Sequence, residues 1–244
     1  MSNSLVRSKA AWFLNGMRGI VSVPALILMT SFVGFAGLAS GAGISLAQTL
    51  FMVAIVWALP SKVVLVGSII AGSSLPATFI AVTLSAMRLM PMVAALVPEI
   101  RTKKTPTWLL LILSHFVAIT AWVYTMQKID TIPREGRIAY FAGMAGTLCV
   151  ANIVIVAIVY NLVPELPTVV AAALFFLTPI YFLTSLWASA RERVIHIAMV
   201  LGLFSAPVFH RISAEFDILY AGIIGGTVAF AIDRLWRRRT GRRP

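Results

Sequence analysis

Charge is scarce in this sequence, and most of what there is avoids its apolar stretches. Only 11% of the 244 residues are Asp, Glu, Lys or Arg, against about 25% in an ordinary soluble domain. No charged residue occurs from Gly19 to Ser61 or from Val63 to Met87, so Lys62 stands alone in a long apolar region. Cysteine is scarcer still. The single Cys149 excludes an intrachain disulfide and a cysteine-pair metal site, and it carries no information about redox compartment. The HExxH helix, the GxSxG elbow and the P-loop are also missing, so neither metalloprotease chemistry nor ATP hydrolysis is expected. The stretch GSSLP at 72–76 offers serines, but no histidine is placed to act as their base, and serine hydrolysis is not expected either.

What is abundant is apolar surface: 60% of residues are hydrophobic and the mean hydropathy is +0.95. A helix crosses the hydrocarbon core of a bilayer, about 30 Å thick, with about 20 apolar residues rising about 1.5 Å each. The chain therefore reads as an all-α, polytopic integral membrane protein. Its net charge of +12 does not describe a nucleic-acid binder, because the basic residues sit in the flanks. Arg7, Lys9 and Arg18 precede the first apolar run, and Arg234, Arg237, Arg238, Arg239, Arg242 and Arg243 follow the last. The positive-inside rule then places both termini in the cytoplasm, the inner face of a cell membrane. The first apolar run is too long for a cleaved signal peptide and lacks a small-residue cleavage site, so the N-terminus is expected to stay.

Three regions follow: an interfacial N-terminal segment at 1–18, a transmembrane domain at 19–233 and a basic cytoplasmic tail at 234–244. Residues 5–17, LVRSKAAWFLNGM, suit a helix lying in the interface. Spans are expected at 19–39, 44–59, 63–87, 108–127, 138–160, 169–189, 194–209 and 218–232. Trp57, Trp108, Trp122, Trp187 and Trp236 fall near the ends of these segments, where headgroups accept an amphipathic ring. Eight crossings put Glu165, Glu215 and Asp217 outside and the RER at 191–193 inside. One loop disobeys: EIRTKKT, 99–105, would lie outside despite Arg101, Lys103 and Lys104. Either eight spans are right, or the stretch LMPMVAALVP at 89–98 dips in and returns, leaving seven.

Proline and glycine interrupt the spans at Pro60, at GSSLPAT (72–78), at Pro91 and at Pro179. Broken backbone in a membrane must be buried in protein or line a cavity, which is where transporters place their sites, although a single proline is also a simple kink. Small residues in GFAG (34–37), SGAG (40–43), GMAG (143–146) and GIIGG (222–226) favour close helix packing. Intramembrane ionisable groups are functional candidates by default. Lys62 is either a cytoplasmic anchor or part of a site. Arg88 either snorkels to an interface or forks onto a carboxylate. His115 is either hydrogen-bonded glue or a proton relay, and Asn152 is interhelical glue or a substrate contact. His196 and His210 are given no role. No acid and base pair shares one depth, which disfavours a membrane enzyme.

Residues 16–101 carry a resemblance to a known family. GMRGIVSVPALILMTSFVGFAGLASGAGISLAQTLFM is similar to its Gly-rich opening, WALPSK to a small-residue motif ending in Ser-Gln, and SAMRLMPMVAALVPEIR to an Asn-Leu-Arg-His segment; LPTVVAAALFFLTPIYFLTSL looks like a downstream helix. The sequence resembles the AzlC family of branched-chain amino-acid permeases, exporters that usually act with a small hydrophobic AzlD-type partner. The resemblance implies a bundle of seven to eight helices with broken or re-entrant segments, an amino-acid substrate, gradient-driven alternating access, and a small partner or homo-oligomer, with no cofactor or metal. Combined with the helix breaks and the buried polar residues, it points to a substrate site near Ser61, Lys62, Gly72, Ser73, Ser74, Arg88 and Asn152, with His115 for proton coupling. Ser61 and Arg88 match the family pattern. Lys62 stands where glutamine is usual, Ser85 lies near the usual asparagine, Leu89 replaces the histidine, and Ser114, His115 and Phe116 stand where an Asp-Glu motif is usual. These departures leave open a different anionic substrate, or a structural and assembly role without transport.

Overall fold

The computed structural model describes residues 8–189, 192–213 and 216–240. Parts of the N-terminal segment and basic tail, with Arg191 and Glu215, lie outside the described residues. Every regular element described is helical. In chain order they are α1 (Lys9–Met17), α2 (Val23–Gly41), α3 (Leu46–Ile55), α4 (Leu59–Ile70), α5 (Leu75–Ala86), α6 (Met90–Ile100), α7 (Thr107–His115), α8 (Ile119–Lys128), α9 (Arg134–Leu162), α10 (Thr168–Ser189), α11 (Arg193–Ile212) and α12 (Asp217–Thr240).

By length and composition, four helical stretches among the described residues are able to cross a membrane: α2, the run Leu75–Ile100, α9 with its extension to Glu165, and α11. The expected segments do not all appear as single long helices. The one at 63–87 is divided by the turn at 71–74, and the one at 108–127 is broken at 116–118. The stretch at 89–98 continues the helical run that begins at Leu75. A 3-10 turn at Met87–Leu89 joins α5 to α6, and Pro91 falls in the first turn of α6, where a missing N–H costs no helical bond.

The chain forms two compact units, Met1–Val63 with Leu84–Thr178, and Val64–Thr83 with Pro179–Pro244. In the first, α9 is the central post: Tyr140, Phe141, Met144, Leu148 and Val156 are buried along its length. The helix α1 lies against the start of α9 with backbones in contact. A Cβ on Gly16 would run into the Tyr140 carbonyl oxygen, and one on Gly143 into that of Phe13. Small residues of α2 take α10 in the same manner, Gly34 against Thr178 and Gly37 against Leu174, and the Thr178 hydroxyl donates to Ser31 O at 3.2 Å. At the far end of α9, the Tyr160 hydroxyl donates to Ile44 O, just before α3 (2.6 Å).

In the second unit α11 packs on α12, with Gly225 close to the backbone of Gly202. Trp187 and His196 meet edge-on at 4.6 Å, the Arg193 guanidinium lies 4.3 Å from the centre of the Trp236 ring, and His210 Nδ1 is 2.7 Å from Asp217 Oδ2.

Candidate functional site

Two interrupted helices shape the first unit, and their interruptions meet. The helix α3 opens with a reciprocal cap, Ser45 and Gln48 each satisfying the other's backbone amide. It stops after ten residues at Ile55, and α4 begins at Leu59. The helix α7 has nine residues and α8 ten. At about 1.5 Å per residue none of α3, α7 and α8 is longer than about 15 Å, half of a hydrocarbon core. His115, the last residue of α7, places Nε2 2.9 Å from the carbonyl oxygen of Ala54 in the last turn of α3. One side chain thus joins the two helix ends.

The direction of approach differs. The start of α7 (Thr105, Pro106, Leu109) and the start of α9 (Arg134, Glu135, Ile138) line one cleft. Only Ile129–Pro133 separate α8 from α9, so α7 and α8 leave and return to the same end of α9. The start of α3 follows Ile44, which Tyr160 holds at the opposite end of α9. Half-helices therefore come from opposite ends and touch at His115 and Ala54.

Lys62 lies in the first turn of α4, just past the interruption after α3. It is fully buried. Its Nζ lies 3.9 Å from the centre of the Phe32 ring, 5.4 Å from Phe35 and 5.9 Å from Trp57. The ammonium has no hydrogen-bond partner among the described residues. Phe32 of α2 stands against it, and Cys149 of α9 is near enough to interact with it. Three residues beyond Cys149 on α9, Asn152 is fully buried, and neither amide atom is bonded to a described residue. Trp57 is likewise buried, with Nε1 unpartnered, and does not sit among headgroups. It occupies the interruption itself, between α3 and α4.

Energy decides how to read this arrangement. Burying an ammonium costs several kcal/mol after relaxation. An aromatic face returns about 2 kcal/mol when desolvated. A helix start carries about half a positive charge, which adds to the cost of a cation there. The surroundings supply no countercharge by a salt bridge among the described residues, so the site is electrostatically complementary to an anion.

The other expected residues fall into three groups. Ser61 is buried, and Ser85 Oγ donates to its Oγ at 2.7 Å, so two of the motif positions quoted above meet directly. Arg88 follows one turn later in the Met87–Leu89 segment, half-buried, with Nε buried and unpartnered. His115 is exposed on the protein surface at the last residue of α7. Gly72, Ser73 and Ser74 belong to the second unit. There Gly72 adopts φ +63, the left-handed conformation of a helix end, Ser73 N–H donates to Ser68 O at 2.9 Å, and Ser74 Oγ accepts from Ala77 N–H at the start of α5. Sequence reasoning missed Phe32, Phe35 and Cys149. The spacing of Phe32 and Phe35 on one helix face was the available signal, but it equally describes ordinary core packing.

The AzlC protein family model matches residues 24–163, more than half of the chain. That range takes in α2 to α9, with both interrupted helices and with Ser61, Lys62, Arg88, His115 and Asn152. No curated protein and no solved structure matches the chain. A transport-related membrane chain built around two meeting half-helices, it belongs to the AzlC family.

Proposed function

We propose that this chain is the large subunit of a secondary transporter that exports branched-chain or related amino acids across the cell inner membrane. It works by alternating access, driven by an ion or proton gradient, with a small AzlD-type partner or a second copy completing the complex. Both termini lie in the cytoplasm. Family membership supports transport, and the buried, unpartnered ammonium of Lys62 is the observation that carries the site.

The chemistry follows from the groups present. A substrate carboxylate accepts from Lys62 Nζ, with the free amides of the α4 start adding donors. Asn152 Oδ1 accepts from the substrate ammonium. Phe32, Phe35 and Trp57 form the wall for an aliphatic side chain. His115, at the joint between α3 and α7, is the group whose protonation is coupled to movement, since a charged imidazole adds a cation at two helix C-terminal ends.

A second reading has its own support. Lys62 occupies the position of the family's usual glutamine, and an extra cation fits a substrate with an extra negative charge. The experiment is efflux from proteoliposomes loaded with neutral and acidic amino acids, for wild type and Lys62→Gln, with and without a gradient and a candidate small partner. Preference for branched-chain substrates supports the first reading. Preference for acidic ones, lost in Lys62→Gln, supports the second. Absence of gradient-dependent flux for every substrate overturns both and leaves an assembly subunit.

A further inference from the structure

A second concentration of unpartnered charge lies in the first unit, away from the helix interruptions. The loop 101–106, the start of α1 and the start of α9 enclose a cleft of about 1140 Å³. Lys9, Arg101, Lys103, Lys104 and Arg134 line it, opposed by Glu135 alone. None of the six makes a salt bridge among the described residues. Glu99, two residues before Arg101, is already engaged: its Oε2 accepts from Arg137 Nη1 at 2.9 Å, and the same nitrogen donates to the Glu99 carbonyl oxygen at the end of α6. The cations are therefore left facing the cleft with a surplus of positive charge.

The loop has the shape of a receptor and not of a loose connection. Thr102 N–H donates to Thr105 Oγ1 at 3.0 Å, the two hydroxyls are 2.8 Å apart, and Thr105 N–H returns to Thr102 O at 3.1 Å. This closed turn sets Lys103 and Lys104 at its tip. The N-terminal ends of α7 and the 29-residue α9 both reach the cleft, adding partial positive charge at their first amides.

Below the cations the lining turns apolar at Leu109 and Ile138. Trp108, Leu111 and Ile112 of α7 are more than half exposed on the adjoining helix surface. A cation ring at the level of helix ends, above an apolar wall with a tryptophan, is the layout of a lipid headgroup and its chains. We infer that this cleft binds the phosphodiester headgroup of an anionic phospholipid, with Lys103, Lys104 and Arg134 on the phosphate oxygens and acyl chains along α7. The inference does not depend on what the chain transports. It also accounts for EIRTKKT, whose basic residues lie at the same end of the molecule as Lys9 and so agree with a cytoplasmic placement.

The test is lipid retention. The full chain is incorporated into mixed bilayers of phosphatidylcholine with a minority of phosphatidylglycerol, and lipid remaining bound after detergent release is counted by native mass spectrometry. Wild type is expected to enrich phosphatidylglycerol by roughly tenfold over its share of the bilayer, from the attraction of several basic side chains. The triple variant Lys103→Gln, Lys104→Gln, Arg134→Gln is expected to fall to the bilayer ratio. A charge-matched variant, Lys128→Gln, Arg211→Gln, Arg234→Gln, keeps the enrichment. Lys103→Arg with Lys104→Arg keeps it too, which separates loss of a site from loss of fold. Equal retention of both lipids by wild type overturns the inference, as does enrichment that survives in the triple variant or disappears in the matched one. Displacement of the lipid by millimolar inorganic phosphate also overturns it, in favour of a soluble phosphate compound.

Discussion

At Lys62 one side chain concentrates the electrostatic cost of the first unit. Its ammonium is buried against Phe32 and at the start of α4, and aromatic attraction does not offset desolvation. Lys62→Met is therefore expected to raise thermal stability, by about 1 to 4 kcal/mol where an apolar side chain of similar volume replaces a buried charge. The same change abolishes gradient-dependent efflux. A thermal shift with a parallel flux assay checks both, and a destabilised Lys62→Met that still transports would remove Lys62 from the site. Asn152 makes a similar case in neutral form. Each unpaired buried amide group costs about 1 to 3 kcal/mol, so Asn152→Leu is expected to hold or gain stability while flux falls. Unchanged flux in that variant assigns Asn152 to packing alone. The sequence made Lys62 conspicuous because nothing around it is charged. Its aromatic surroundings were not legible, since Phe32 and Phe35 look like any apolar pair until the fold brings α4 across them.

At the level of elements, the interruptions differ in how plainly they are written. The turn at 71–74 follows from Gly72, whose φ of +63 a side chain resists, and from Pro76 at the start of α5. The interruption at 56–58 is signposted by Pro60, although the proline sits inside the first turn of α4 and not in the gap. The one at 116–118 has neither glycine nor proline. There the chain leaves the helix under tertiary contacts, and no local rule exposes it. His115→Ala removes the bond to Ala54, and the ends of α3 and α7 are expected to exchange amide hydrogens roughly tenfold faster, as loss of about one hydrogen bond implies. Unchanged exchange in both segments would show that the bond does not hold the half-helices together. The Arg137 to Glu99 pair ties α9 to α6 in a partly buried setting. Arg137→Met leaves two carbonyl oxygens and a carboxylate without their donor, with an expected loss of about 2 kcal/mol measured by denaturant unfolding in detergent.

For the whole molecule, the class was legible from composition: scarce charge and long apolar runs admit only membrane helices. The count was not, because a run of about 20 apolar residues looks the same whether it crosses once or enters and returns. The geometry of α7 and α8 makes a concrete topological statement. Single cysteines at Lys103 and Asp130, before and after the pair, are expected to react with an impermeant thiol reagent from one side of the membrane, and one at Glu165 from the other. The buried Cys149 is replaced by alanine in all of them. Labelling of Lys103→Cys and Asp130→Cys from opposite sides would mean that α7 and α8 cross together.

The contact between α1 and α9 has a consequence in time. Gly16 and Gly143 allow backbones to touch that are separated by most of the first unit's sequence. During synthesis α1 emerges well before α9, and the surface that receives it does not exist until Tyr140 and Met144 have been made. At about 5 to 20 residues per second, the chain waits several seconds or more before that surface is complete. A helix translated well before its partner is thus among the last to settle, and truncation before α9 leaves its glycine face without a receptor.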